Sequence, residues 1–109
     1  MRYAIVSDLH ANLQAWRAVL RDIATQRVER ILCLGDVVGY GPNPAEVLES
    51  VHGTVHHFVL GNHDAAICGM LDLSLFNEDA RRIIEWTRSR LGSSAVRLMR
   101  TWPLVLRAK

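Results

Sequence analysis

The chain has 109 residues, half of them apolar and 22% charged, a balance that fits one soluble globular domain (1–109) and excludes a disordered chain. No apolar run approaches the roughly 18 residues that cross a bilayer, and the opening MRYAIVSDLH puts Asp8 and His10 where a signal peptide needs an apolar stretch. No membrane partner and a cytoplasmic location are therefore expected. The net charge of +2 is unevenly spread, with five basic against eight acidic residues through Phe76 and eight against three from Asn77 onward. Such a basic final third reads first as a solvated helix face and, less directly, as a nucleic-acid contact.

Taken in chain order, RYAIVS (2–7) is a short apolar run consistent with a strand. Asn12 then caps a helix whose Leu13, Trp16, Val19, Leu20 and Ile23 form one apolar stripe. ERILCLG (29–35) has the continuous apolar character of a strand covered on both faces. The loop GDVVGYGPNP follows, and Pro44 opens a helix through about Ser50 with Asn43 as its cap. Val55 to Gly61 predicts the third strand. Asn77 starts a helix that runs to Gly92, Ser94 caps a shorter one through about Arg100, and Leu104–Leu106 opens a further strand after Pro103. Strand, helix, strand, helix, strand predicts an α/β layer with a parallel sheet.

Ligand sites in such sheets form beyond the carboxyl ends of the strands. Three strand ends here carry polar clusters: Asp8 and His10, then Asp36, then Asn62, His63 and Asp64. This oxygen and imidazole set suits borderline or hard divalent ions such as manganese, iron or zinc. Asp8 and His10 could approach one ion, Asp36 could bridge two, and Asn62 could offer its amide oxygen to the second. A pair of such ions orients a phosphoryl oxygen and lowers the pKa of water toward neutrality, giving a hydroxide for in-line attack. His63 is then placed to protonate the leaving oxygen. Asp64 either orients that imidazole or serves as a turn or cap residue. His52 reads as surface, His56 and His57 as strand residues, and Cys33 and Cys68 as small buried hydrophobes. GYGPNP matches neither a P-loop nor a dinucleotide fingerprint, and no serine or cysteine has the setting of a covalent nucleophile.

Asp8-Leu9-His10, Gly35-Asp36 with Gly39-Tyr40-Gly41-Pro42-Asn43-Pro44, and Gly61-Asn62-His63-Asp64 resemble the first three signature blocks of the calcineurin-like metallophosphoesterases, in the small bacterial and archaeal phosphodiesterase branch. The resemblance implies the parallel-sheet half of a two-sheet α/β sandwich. It also implies two divalent metal ions (manganese, with iron, zinc or nickel as alternatives) held by Asp8, His10, Asp36 and Asn62, and a catalytic His63. The implied substrate is a phosphoester, of which a nucleotide is one form. The family's later Gly-His and Gly-His-x-His blocks have no counterpart, because no histidine follows His63. The resemblance therefore implies an incomplete domain with an uncovered sheet face open to self-association. The alternative function is a noncatalytic fragment or interaction module with weak metal binding.

Overall fold

The computed structural model describes residues 1–107, so the last two residues of the expected 1–109 domain lie outside the described residues. Strands β1 (Tyr3–Val6), β2 (Arg30–Cys33) and β3 (His57–Phe58) form a parallel sheet in that order. Val6 sits beside Cys33, and Cys33 beside Phe58. Between the strands run helices α1 (Leu13–Ala24) and α2 (Pro44–Thr54); after them come α3 (Asn62–Ile67), α4 (Glu78–Arg90) and α5 (Ser93–Arg100), with a 3-10 turn at Leu73–Leu75. The expected α/β class holds.

Strand residues alternate between two faces, so Ala4, Val6, Ile31, Cys33 and Phe58 point one way and join the helices in a single core. Val47 and Val51 of α2, Ile67 of α3, Ile84 of α4 and Met99 of α5 are fully buried there. The Phe58 and Trp102 rings stack at 4.5 Å between centroids. The opposite face carries Tyr3, Ile5 and Leu34, all exposed, with Ile5 63% accessible. β2 was expected to be covered on both faces; in this chain Ile31 and Cys33 face the core, while Leu32, with Leu34 just beyond the strand, lies on the open side.

Several boundaries differ from the sequence reading for local reasons. The Asn12 side chain caps α1 by accepting the Ala15 N–H, and Asn77 caps α4 by accepting that of Ala80. Asn43 occupies the cap position of α2, but its amide donates to Glu46 Oε2 at 3.0 Å instead of accepting a backbone N–H. α2 runs four residues past the expected Ser50, to Thr54, and Val55 closes it by donating to the Val51 carbonyl, which shortens the third strand from Val55–Gly61 to two residues. Backbone bonds from His56 to Ile31 and from Val59 to Cys33 extend that pairing without a longer ladder. α5 starts at Ser93 with Gly92, not Ser94, at its cap. Leu104–Leu106 is not a strand: Leu104 and Val105 form a bend, and the segment's tie to the sheet is the Leu60 N–H donated to the Pro103 carbonyl.

Helix α3 was not expected, and it carries Asn62, His63 and Asp64 on its first turn. Its far end is held by two arginines. Arg88 donates to the carbonyls of Ile67 (3.0 Å) and Ala66 (2.7 Å), and Arg100 donates twice to that of Cys68. Positive charge at a helix carboxyl end satisfies carbonyls that have no partner within the helix.

Candidate metal centre

The loop after β1 is built from residues in left-handed backbone conformations: φ is 56° at Asp8, 47° at His10 and 57° at Ala11. Asp36, beyond β2, has φ 55°. Each such residue without glycine's freedom costs on the order of 1–3 kcal/mol and persists only where its surroundings enforce it. Enforcement comes from three backbone bonds between the two loops. The N–H groups of Asp8, His10 and Ala11 donate to the carbonyls of Gly35, Asp36 and Val37 at 3.0, 2.9 and 2.8 Å. The parallel pairing of β1 and β2 thus continues past both strand ends and carries Asp8, His10 and Asp36 to one rim.

The third loop joins them by close approach. A Cβ on Gly35 would lie 2.5 Å from the Gly61 nitrogen, and one on Gly61 would lie 2.2 Å from Asp36 Oδ1, so the GD and GNHD pairs exist because no side chain fits between these backbones. Asp64, fully buried, fastens the contact. One carboxylate oxygen accepts the N–H groups of Val37 (3.0 Å) and Val38 (3.2 Å), and the other accepts those of Asp36 (2.8 Å) and Gly61 (3.1 Å). Burial pushes its pKa up to about 6, against the opposing pull of those donors. Of the two roles left open for Asp64, the geometry shows the cap; its oxygens are spent on backbone and not on the His63 imidazole.

On this frame the donor atoms of His10, Asp36 and His63 lie within 4.8 Å of one another. Asp36 Oδ1 is 3.6 Å from His63 Nδ1 and accepts the His63 N–H at 3.0 Å. Asp8 Oδ1 lies 3.4 Å from His10 Nε2, and the Ser7 hydroxyl, followed by His10, holds the Asp8 carboxyl below its usual pKa. The Asn62 side-chain amide lies beside both carboxylate oxygens of Asp36, at 3.1 and 3.2 Å: turned nitrogen-first it donates to them, and turned oxygen-first it offers its carbonyl, next to Asp36, to a shared cation. The two imidazoles meet edge to face at 5.0 Å. Tyr40 packs on both, 4.8 Å from His63 and 5.2 Å from His10.

His10 Nδ1 and both ring nitrogens of His63 are buried with no hydrogen-bond partner. Buried polar atoms are almost always satisfied, so three orphans around one carboxylate mark a place built for a ligand outside the chain. Imidazole nitrogens and a carboxylate oxygen at this spacing fit a divalent cation.

Of the five residues singled out in the sequence, His10, Asp36 and His63 form one group of facing donors, Asp8 lies against His10 and Asn62 against Asp36; His63, read as a neighbour of the ligands, thus stands inside the group. His56 turns away from the rim and accepts the Ile31 N–H on Nδ1 at 3.0 Å. His57 is exposed on β3 and His52 exposed on α2, while Cys33 and Cys68 are free and buried. The sequence reading missed Tyr40. Its signal was the GYG triplet, because Gly41 leaves room for the His10 carbonyl, which a Cβ there would approach to 2.0 Å.

The model of the calcineurin-like phosphoesterases matches residues 1–106. The chain belongs to this family. As a calcineurin-like phosphoesterase it is 44% identical to a metallophosphoesterase from Sphaerobacter thermophilus, whose crystal structure superposes with a TM-score of 0.78 over 94% of this chain and 42% of that one. It is 38% identical over 103 residues to an uncharacterized protein of Methanocaldococcus jannaschii, covering 94% of this chain and 42% of the relative. A candidate diadenosine tetraphosphatase, 24% identical, shares the fold with a TM-score of 0.70 over 94% of this chain and 43% of its own. The chain thus spans about two fifths of the length of these relatives. Among the described residues no helix is long and apolar enough to cross a membrane.

Proposed function

We propose that residues 1–109 are one part of a single metal-dependent phosphoesterase domain that hydrolyses phosphodiesters or phosphomonoesters. The observation that carries this reading is the set of orphaned imidazole nitrogens of His10 and His63 turned around Asp36. The greater length of the relatives supports an extended domain. In this reading Asp8 and His10 would hold a first ion, Asp36 would serve both ions, and Asn62 would offer its carbonyl oxygen to the second. Manganese suits the mixed oxygen and nitrogen donors, with iron, zinc and nickel as alternatives. Bound ions supply positive charge to a phosphoryl oxygen and bring the pKa of water toward neutrality.

The chain's own residues do the rest. Asp36 is fixed by the His63 N–H, which keeps its carboxylate aimed at the rim. With Nδ1 of His63 turned to Asp36, Nε2 is the nitrogen placed to hand a proton to the leaving oxygen. Tyr40 and Phe76, the latter 5.9 Å from the His63 ring, hold the imidazole and limit water around it. Two free buried thiols fit a reducing compartment such as the cytoplasm.

A second reading concerns the polypeptide by itself. No histidine follows His63, so fewer donors are at hand than two ions need, and weak metal binding without turnover is the alternative. Manganese titration of the 109-residue chain by calorimetry separates the two: two tight sites support an autonomous centre, while a single weak site supports the noncatalytic fragment. For the protein at its relatives' length, a chromogenic phosphodiester with manganese is the assay. Asp36→Asn and His63→Ala should each lower turnover by orders of magnitude, and unchanged turnover in both would refute the hydrolase reading.

A further inference from the structure

Tyr40 belongs to two surfaces at once. Its ring covers His10 and His63, yet the residue is 55% exposed, and it forms the near wall of a groove of about 370 Å³ that also involves Gly41, Pro42, Arg82, Ile83 and Trp86. Trp86, 40% exposed on α4, lines the same groove. Two large aromatic side chains are thus left exposed on one groove, a concentration of apolar ring surface that fits a ligand contact. Trp16 and Trp102, the other two tryptophans, are buried.

The groove's charge is as specific as its rings. Arg82 lies in it, paired at 2.7 Å with Glu78 on the exposed side of α4, and the Arg90 guanidinium sits 5.3 Å from the Trp86 ring. The volume lies at the small end of ligand cavities and suits one base with its sugar. Exposed aromatic rings suit a planar heterocycle, and the Arg82 guanidinium suits a phosphate oxygen in exchange for its Glu78 partner. A simple alkyl or aryl phosphate would leave one of these features unused.

We propose that this groove is the base-binding subsite of the phosphoesterase, so that the substrate class is nucleotide-type phosphoesters. The base stacks between Tyr40 and Trp86, Arg82 meets a phosphate oxygen, and the phosphoryl group continues past Tyr40 to His10, Asp36 and His63. Tyr40 is then the residue that joins recognition to chemistry. The inference rests on the function proposed above for the same rim, and it adds a specificity that the rim itself lacks.

The test uses the 109-residue chain with AMP and, as a probe without a base, ribose 5-phosphate. Because Trp86 is the exposed tryptophan, AMP should quench intrinsic fluorescence in a saturable way and ribose 5-phosphate should not. By calorimetry, Trp86→Ala should weaken AMP binding by about tenfold or more, in line with the usual weight of base stacking, and Arg82→Glu, at a well-exposed position, should weaken it in the same direction with the fold untouched by circular dichroism. No AMP quenching, equal binding of the two probes, or AMP affinity unchanged in Trp86→Ala and Arg82→Glu would overturn the subsite. Manganese binding is measured separately. Manganese bound without discrimination between the probes defeats the groove alone; base-selective AMP binding in a chain that takes up no manganese leaves the groove standing and supports the noncatalytic-fragment reading.

Discussion

Asp64 and Asp36 are tied reciprocally through helix α3: Asp64 accepts the Asp36 N–H at 2.8 Å, and Asp36 accepts the N–H of His63, the residue just before Asp64, at 3.0 Å. One carboxylate is spent on the scaffold so that the other can face the rim. This division explains why two acids so close together have different roles, one fully buried and the other at the mouth of the site.

Replacing the scaffold carboxylate should therefore be costly. Asp64→Asn keeps the shape but turns an acceptor into a donor facing at least one pair of backbone N–H groups, and Asp64→Ala strands all four. Unsatisfied buried donors cost about 1–3 kcal/mol each, so urea denaturation should show a loss of about 2–4 kcal/mol for Asn and more for Ala. Manganese affinity should fall with stability, because Asp36 and His63 lose their common anchor. A stability change under about 0.5 kcal/mol in the Asn variant would contradict the fastening role.

Two glycines make a paired test of close approach. Gly61→Ala drives a methyl to within 2.2 Å of Asp36 Oδ1, whereas Gly53, inside α2, has nothing within 4 Å of an added Cβ. Overpacking of this kind costs about 1–3 kcal/mol or more, while alanine in place of a helical glycine gains about 0.5–1 kcal/mol. Thermal melts should move in opposite directions, by about 4–8 °C per kcal/mol for a domain near this size. A Gly61→Ala melt equal to wild type would show that the loops do not meet as described.

Much of this was legible in the sequence. The periodic stripe of Leu13, Trp16 and Leu20 and the cap at Asn12 gave α1, and polar clusters after apolar runs located the rim. Asp64 resisted reading because a carboxylate that caps a helix and one that serves an imidazole occupy the same place in a motif; only three-dimensional donors from Val37 and Val38, far away in sequence, distinguish them. Helix α3 was missed because its six residues are too short for periodicity to register. The late strand at Leu104–Leu106 failed for a related reason: three apolar residues can end a strand pattern or a bend alike, and one backbone bond from Leu60 does not make a ladder.

The two thiols give a pH test. Burial pushes both Cys33 and Cys68 up to about 11. A folded-state pKa raised above the ordinary value means that the stabilising contribution is intact below about pH 9 and is lost as pH rises through about 11. At about pH 8 only about one thiol in a thousand is ionised in the folded chain, so iodoacetamide should label neither cysteine until urea is added. Rapid labelling of either at that pH would show an accessible, activated thiol.

The bare sheet face predicts self-association. Tyr3, Ile5 and Leu34 form an exposed apolar strip on the side of the sheet away from the helices. Sedimentation velocity should show a mass that rises with concentration for the wild type and stays monomeric for Ile5→Asp. A wild type that remains monomeric at its highest soluble concentration would defeat this expectation.

Metal should couple to folding through the same orphaned nitrogens. A cation that meets His10 and Asp36 only when the strand ends are assembled binds the folded chain alone, and such a ligand at a hundred times its dissociation constant stabilises by about 2.7 kcal/mol. Manganese should therefore raise the melting temperature in a dose-dependent manner, and EDTA should return it to the starting value. In Asp36→Asn the shift should shrink to nearly nothing, since the central carboxylate between the imidazoles is gone. His57→Ala, exposed on β3 outside the group of facing donors, should keep the full shift. A manganese shift that survives in Asp36→Asn, or that disappears in His57→Ala, would move the cation away from this rim.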